Sequence, residues 1–306
     1  MQISVASSSL ISVPIIEAII ASEHTLASVI STPDRKSGRG QVETPSEISV
    51  WSSERGYLVA KPFDTPTLNQ HLLAAQPQLI ITASYGRIIP VEVLHGPRFG
   101  WLNVHFSLLP RWRGAAPVQW ALLEGDAATG ISIFKLDKGI DTGPVYLQEE
   151  IEIGHSETTP ELLARMSEIA GQRIMSVVAE IRQGVKPKAQ PSAGITLAPK
   201  ISKEQARLDW KLGADSLLRK SRALEARPGT WTTHRGERVA VHAMSESLLP
   251  NSLKEVGEIA LVEGALLVRC QDSTLQIAQL TPSGKKRMSG GDFARGARLT
   301  AGERFE

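Results

Sequence analysis

Trp101-Leu-Asn-Val-His-Phe106, continuing into Ser107-Leu-Leu-Pro110 and Arg111-Trp-Arg-Gly-Ala-Ala-Pro117, is the stretch on which the reading of this chain turns. It is an apolar run broken by two polar side chains two positions apart. In an extended strand, side chains two apart share a face. Asn103 and His105 are therefore expected to point one way with Trp101, while Leu102, Val104 and Phe106 point the other way. A strand that ends in an amide and an imidazole sets an oxyanion donor beside a proton carrier, a combination suited to acyl chemistry. Further along, Asp137-Lys-Gly-Ile-Asp141-Thr-Gly143-Pro144 reads as a glycine-rich loop after a strand, a setting that presents a carboxylate to a cleft. A carboxylate beside an imidazole orients the ring and favours its charged form.

Outward from this stretch, short apolar runs recur at residues 3–6, 26–30, 57–60, 79–83 and 131–136, with amphipathic segments such as 15–22 and 68–75 between them. That alternation predicts an α/β fold over residues 1–183: a Rossmann-like, mostly parallel sheet covered by helices. Thr159-Pro160-Glu161 opens a helix expected to run to about Arg182, with Gly184 past its end. Residues 184–203 hold Pro187, Pro191 and Pro199, lack an apolar period and read as a linker. In residues 204–306 a helix at 215–226 precedes strand-like runs at 230–233, 238–243, 258–262, 265–269 and 275–280. Turn signals such as Arg235-Gly236 and Glu263-Gly264 separate them, and the pattern predicts a small OB-like β-barrel.

The net charge of +2 conceals an asymmetry. Residues 1–183 carry 14 Lys and Arg against 19 Asp and Glu, a balance of −5; residues 184–306 carry 20 against 13, a balance of +7. A basic C-terminal part on an acidic N-terminal part points to a polyanionic partner. Cys270 is the single cysteine, which excludes an internal disulfide and a cysteine-based metal site, and its strand-like setting predicts a buried thiol. The N-terminus lacks a basic leader region, Pro14 and Glu17 interrupt the first apolar stretch, and no run approaches the roughly 20 apolar residues of a membrane helix. The expectation is a cytoplasmic protein without a membrane partner. No G-x-G-x-x-G or P-loop follows any expected strand, so hydride transfer and nucleotide hydrolysis lose their usual support. His105 has no second histidine at ligand spacing, and Ser107 lacks a G-x-S-x-G elbow, so neither a metal site nor a serine triad is expected.

With Asn103-x-His105-x-Ser-Leu-Leu-Pro110, the Arg111-to-Pro117 segment and the Asp137-to-Gly143 loop in view, the chain resembles the folate-dependent formyltransferases. Pro33-Asp-Arg-Lys-Ser-Gly-Arg-Gly40, Ser84-Tyr-Gly-Arg-Ile-Ile-Pro90, Ile201-Ser-Lys-Glu-Gln-Ala-Arg-Leu-Asp-Trp210 and Pro282-Ser-Gly-Lys-Lys-Arg-Met-Ser289 extend the likeness over nearly the whole chain. The Asn-x-His and Asp core is shared by all such enzymes. The segment after Pro110 and the C-terminal motifs resemble the branch whose acceptor is methionine on initiator tRNA.

The resemblance implies a donor, 10-formyltetrahydrofolate, and an acceptor, the α-amine of methionine on initiator methionyl-tRNA, joined by direct amine attack through a tetrahedral intermediate without a metal. It implies that Asn103 and protonated His105 steady the oxyanion, and that Asp141 holds His105 and assists loss of the amine proton. Ser107, Leu108, Leu109 and Pro110 are implied to line the folate pocket, with Ile88 and Ile89 as walls for the flat pterin. Arg35, Lys36 and Arg39 suit a phosphate backbone, and the resemblance places their loop against the tRNA acceptor end. Lys203, Arg207, Lys285, Lys286 and Arg287 are the expected sources of longer-range attraction. The family precedent implies a monomer. A formyltransferase for a small amine, such as glycinamide ribonucleotide or an amino sugar nucleotide, would keep Asn103, His105 and Asp141 but needs neither the Arg39 loop nor a basic second domain. A non-catalytic tRNA-binding protein has no need of all three polar groups, and a formylfolate hydrolase would have to admit water where the amine is placed.

Overall fold

The computed structural model describes residues 1–37, 41–225, 227–250 and 252–306. They form two compact units, one of Met1–Pro117, Ala127–Ile153 and Leu162–Pro199, the other of Val118–Asp126, Gly154–Glu161 and Lys200–Glu306. The first unit contains strands β1 (Gln2–Ala6), β2 (Thr25–Ile30), β3 (Arg35–Ser37), β4 (Val42–Thr44), β5 (Val59–Ala60), β6 (Leu79–Thr82), β7 (Trp101–His105), β8 (Arg113–Gly114), β9 (Ala128–Lys135), β10 (Val145–Glu152) and β11 (Leu197–Ala198). Its seven-stranded sheet has the order β10-β9-β7-β6-β1-β2-β5. β5, β2, β1, β6 and β7 run parallel, and β9 and β10 continue the sheet antiparallel.

The parallel strands are mostly apolar because both faces are covered. Every residue of β6 is buried, as are Ile3, Ser4, Val5 and Ala6 of β1. The helices of this unit are α1 (Val13–Ile20), α2 (Glu47–Glu54), α3 (Thr65–Ala75), the short α4 (Val91–Leu94) and α6 (Thr159–Arg182) from Leu162 on; α5 (Pro117–Glu124) falls, but for its first residue, in the second unit. On α6, Leu162, Met166, Ala170, Ile174, Val177 and Ile181 recur every three or four residues and are all buried, the stripe of a helix lying on a sheet. Gly171 interrupts nothing on that face: a Cβ there would sit 2.8 Å from Pro14 Cβ, so α6 can approach α1 only with glycine at this point. Asp64 starts α3 with a capping box, accepting from Thr67 N at 2.9 Å while Thr67 Oγ1 accepts from Asp64 N at 3.2 Å.

Two features of this unit lie outside the expected elements. β10 is a full strand at the sheet edge, but Gln148, Glu149, Glu150 and Glu152 mask its period-two pattern. Much of the stretch expected as a linker hydrogen-bonds within the unit: Val145 N donates to Lys188 O at 2.7 Å and Lys188 N to Val145 O at 2.8 Å. Further on, β11 pairs in parallel with β8.

The second unit is a mostly antiparallel sheet: β12 (Thr230–His234), β13 (Glu237–Glu246), β14 (Ile259–Val262), β15 (Ala265–Arg269), β16 (Thr274–Pro282) and β17 (Met288–Ser289), in the order β12-β13-β16-β15-β14 with β17 on β16. Helices α7 (Ala214–Ala223) and α8 (Gly290–Ala297) pack on it. Arg235 and Gly236, with φ of 49° and 78°, make the tight turn from β12 to β13. Glu263 and Gly264, at 47° and 81°, do the same from β14 to β15, the left-handed pairs that a two-residue hairpin requires. Both edge strands are covered by residues 303–306. Thr233 of β12 and Glu306 exchange backbone hydrogen bonds, and Ile259 N of β14 donates to Glu303 O at 2.8 Å.

That covering segment is anchored from inside. Phe305 stacks on Trp210 and Phe293, with centroids 5.9 and 6.1 Å apart, and His234 stands edge-on to Phe293 and Phe305. His234 Nε2 lies 2.8 Å from Glu303 Oε2, and Arg235 Nη2 lies 2.5 Å from Glu303 Oε1. The Arg235 guanidinium, helped by the Thr300 backbone and the His234 ring, pulls the Glu303 carboxyl from 4.5 down to about 2. A depressed carboxylate contributes stability that is fully present above its unfolded value and is lost as pH falls through its folded value. Glu303→Gln is therefore expected to melt below wild type at neutral pH, with the gap closing between pH 4.5 and about 2. Thermal unfolding of both proteins across that range reads it, and a gap constant with pH would contradict the ion-pair account.

Candidate active site

The site assembles where the parallel strands end, outside the sheet's carboxyl edge, as open α/β sheets place their ligands. Strand order reverses between β1 and β6. There Ser8 N and Ser8 Oγ both donate to Ser84 O, at 3.1 and 2.8 Å, tying the two strand ends together. On the next strand, β7, Asn103 is half-buried and His105 is buried. Thr82 at the end of β6 lies beside Asn103 in register, and its hydroxyl is 2.7 Å from Asn103 Oδ1. A carboxamide whose oxygen is engaged presents its NH2 as the donor end.

His105 is fixed by a carbonyl. Its Nε2 lies 2.8 Å from Trp112 O. A carbonyl only accepts, so Nε2 carries a proton, and Nδ1 is the ring atom that can gain or lose one. Nδ1 faces Asp141 Oδ2 at 3.7 Å, and both side chains are largely buried. Phe134 of β9 stands edge-on to the ring, with centroids 6.5 Å apart. Asp141 adopts φ 53°, a left-handed conformation that aspartate tolerates better than most residues. Its Oδ2 accepts from Gly114 N at 2.8 Å, a charge-assisted bond that turns the carboxylate toward β8.

The loop after β7 is held from below. Ser107 Oγ donates to Arg111 O at 2.6 Å, and Ser132 Oγ donates to Ser107 O at 2.6 Å while accepting from Leu109 N at 3.0 Å. Gln148 Nε2 donates to Leu109 O at 2.7 Å. Ser107, Leu109 and Pro110 are buried, and Leu108 is half-buried against Gly130. On the neighbouring loop Ile89 is half-buried against the apolar cluster that includes Tyr85 and Trp101, and Ile88 is 84% exposed. Ile140, just before Asp141, is 67% exposed. Burial raises the Tyr85 hydroxyl above its ordinary value, with Arg87 opposing the shift. Among the described residues, no group of three or more His, Cys, Asp or Glu could hold a metal ion.

The basic residues fall into two groups. Arg35 and Lys36 lie on the β3–β4 ribbon, exposed, with Lys36 opposite Glu43; Arg39 lies outside the described residues. In the second unit Lys203, Arg207, Lys285, Lys286 and Arg287 are all exposed. Sequence reading missed what joins several of them. Trp231 Nε1 donates to Lys203 O at 2.6 Å, and the Arg207 and Arg238 guanidinium carbons lie 5.6 and 4.4 Å from the Trp231 ring centre. Arg238 O accepts from Ser283 N at 3.0 Å, next to the turn that carries Lys285. It also missed Thr82, the Trp112 carbonyl and Gly114; none has a chemical signature in isolation.

Residues 1–178 match the family model described as formyl transferase, and residues 200–298 match its C-terminal domain. A methionyl-tRNA formyltransferase of Salinispora tropica is 37% identical over 99% of both chains. One of Variovorax paradoxus is 38% identical over 95% of this chain and 94% of its own. Among solved structures, HypX from Aquifex aeolicus in complex with tetrahydrofolic acid superposes with a TM-score of 0.68 at 18% identity. That superposition covers 96% of this chain and 47% of HypX.

The contact at Gly114 is sensitive. Its φ is 126° and a Cβ there would meet Ala198 O at 2.7 Å, so Gly114→Ala strains the backbone and pushes β11 away from the amide that holds Asp141. The expected result is a melting temperature lowered by several degrees, corresponding to about 1–3 kcal/mol. A melting curve that superimposes on wild type would show that the packing is slack.

Proposed function

The chain belongs to the formyl transferase family, and on that premise we propose how its residues carry out the transfer. The protein moves a formyl group from 10-formyltetrahydrofolate to the α-amino group of methionine on initiator tRNA, the step that prepares the initiator for translation. The observation that carries this reading is the convergence of Asn103, His105 and Asp141 at the end of β7, in a chain that matches methionyl-tRNA formyltransferases along its length.

When bound, the donor supplies an activated formyl carbon. Fit is supported by the donor set: an amide NH2 beside an imidazole, with the exposed side chains of Ile88 and Ile140 on the adjoining loops as apolar cover. Ser107, Leu108, Leu109, Pro110, Ile88 and Ile89 would hold it. The Asn103 NH2 hydrogen-bonds the formyl oxygen as negative charge develops there. His105, protonated on Nδ1 as well as Nε2, adds a positive charge to the same oxygen. Asp141 keeps that charge in place and receives the proton lost by the attacking amine, directly or through water. The amine nitrogen bonds to the formyl carbon to give a tetrahedral intermediate, and its collapse breaks the bond to the donor nitrogen, which leaves with the proton taken from the amine. Removing a group that stabilises such charge or moves such a proton costs about 10²–10⁴ in turnover.

In this reading residues 1–183 are the catalytic domain, residues 184–203 join it to the next, and residues 204–306, an OB-like barrel, bind tRNA. Support for the barrel is the antiparallel sheet whose two edges are covered by residues 303–306. Arg35, Lys36 and Arg39 meet the acceptor end, and Lys203, Arg207, Lys285, Lys286 and Arg287 supply attraction along the backbone. The protein acts as a monomer in the cytoplasm; among the described residues no helix is long and apolar enough to cross a membrane.

The deciding experiment offers 10-formyltetrahydrofolate with charged initiator tRNA, with glycinamide ribonucleotide and with buffer alone. Formyl-methionine on the tRNA is expected. Transfer only to the small amine or to water would replace this acceptor with another. His105→Ala is expected to lose about 10²–10⁴ in kcat, and activity within a few-fold of wild type would remove His105 from the chemistry. Replacing Lys285, Lys286 and Arg287 together with alanine is expected to flatten the decline of log affinity for tRNA with log salt by roughly two to three units. An unchanged slope would place the phosphate contacts elsewhere.

A further inference from the structure

Residues 185–199 leave α6 and run back along the first unit before the chain continues into the second. They lie in the gap between the two family matches, which end at residue 178 and resume at residue 200. Nothing in their composition marks them as part of a site. Their hydrogen bonds do, because they end on the two residues whose separation decides whether His105 and Asp141 can work together.

One bond supports the His105 side. Thr196 Oγ1 accepts from Trp112 N at 2.9 Å, and Trp112 O is the acceptor for His105 Nε2. The other support is on the Asp141 side. Gln190 Nε2 donates to Asp141 O and to Gly143 O, both at 2.8 Å, using both hydrogens of its amide. Gln190 Oε1 accepts from Arg113 Nε and Nη2 at 3.1 and 2.6 Å. Arg113 lies between Trp112 and Gly114, the residue whose amide holds the Asp141 carboxylate. Thr196 O accepts from Arg113 N, and Ala198 O from Ala116 N, at 3.0 and 3.1 Å, so the strap pairs with the backbone on this side as well. A single carboxamide thus joins the Asp141 turn to the strand that carries its hydrogen-bond donor. Asp141 needs such a tie, because it is a non-glycine residue at φ 53° in a turn exposed at Asp137 and Lys138.

We infer that residues 188–198 act as a strap on the active site, with Gln190 and Thr196 as positioning residues that fix Asp141 and, through Trp112, His105. The inference rests on the functional reading above, since it assigns the strap to the same two groups. Neither residue touches the reacting atoms; each sets the place of one that does. A displacement of about 1 Å at such a pair can cost on the order of 10²-fold in rate.

The test is steady-state formylation of charged initiator tRNA by the full-length protein, comparing wild type with Gln190→Leu, Thr196→Val, Thr196→Ser, Asp141→Asn and the Gln190→Leu/Asp141→Asn pair, with melting curves for each. Gln190→Leu and Thr196→Val are expected to lower kcat about 10- to 100-fold while KM for the donor stays within about two-fold, because what is lost is alignment rather than binding. Thr196→Ser, which keeps the acceptor oxygen, is expected to retain wild-type turnover. The double variant is expected to be no slower than Asp141→Asn alone, since a residue that acts through Asp141 has nothing left to position.

Full activity in Gln190→Leu, or losses that multiply in the double variant, would overturn the strap. If Gln190→Leu does not fold, the Thr196→Val and Thr196→Ser pair decides: equal turnover in both overturns it. A wild-type protein that formylates no tRNA would overturn the functional reading itself, and the strap's role with it.

Discussion

His105 has two ring nitrogens, and the bond from Nε2 to the Trp112 carbonyl determines which is available. Because that acceptor cannot donate, Nε2 carries the hydrogen of this bond and the ring is held with its other nitrogen toward Asp141. The surrounding structure keeps that carbonyl in place. Trp112 takes φ 60° to aim it, Ser107 holds the neighbouring Arg111 carbonyl, and Ser132 and Gln148 hold the loop from β9 and β10. The antiparallel end of the large sheet therefore does more than add strands. It supplies the floor on which the loop after β7 rests.

The two units solve the problem of the sheet edge differently. In the first, apolar runs are buried on both faces, and the antiparallel edge strand β10 is lined with Gln148, Glu149, Glu150 and Glu152, side chains that discourage pairing with another chain. In the second, residues 303–306 take up both edges, and an ion pair and an aromatic stack hold them there. In the second unit Arg207 and Arg238 flank an indole, and the turn that carries Lys285 lies next to Arg238.

What was legible in the sequence follows from period. The two-residue spacing of Asn103 and His105 placed both on one face because strand geometry leaves no alternative, and the apolar runs of β1, β2, β6 and β7 marked themselves. The turns at Arg235-Gly236 and Glu263-Gly264 were equally plain, since few residues accept two successive left-handed conformations. β10 was hidden because its exposed face is carboxylate and amide. The pairing of Trp231 with Arg207 and Arg238 was hidden because sheet register, not proximity in sequence, creates it. The stretch after α6 was hidden more completely. Its attachments are backbone bonds and one glutamine, which leave no apolar pattern to read, and its prolines suggested a mere connection.

That last feature bears on where the chain can be divided. The end of α6 at Arg182 is the natural place to cut, since every strand of the large sheet and every helix that covers it would be retained. Such a fragment would lose the acceptor below Trp112 and the amide below Asp141, and with them the alignment of a pair whose own residues are all still present. A fragment reaching Pro199 keeps both. The supports of the His105 and Asp141 pair thus extend past the last helix of the first unit, so the boundary drawn by its helices and large sheet is not the boundary of the site.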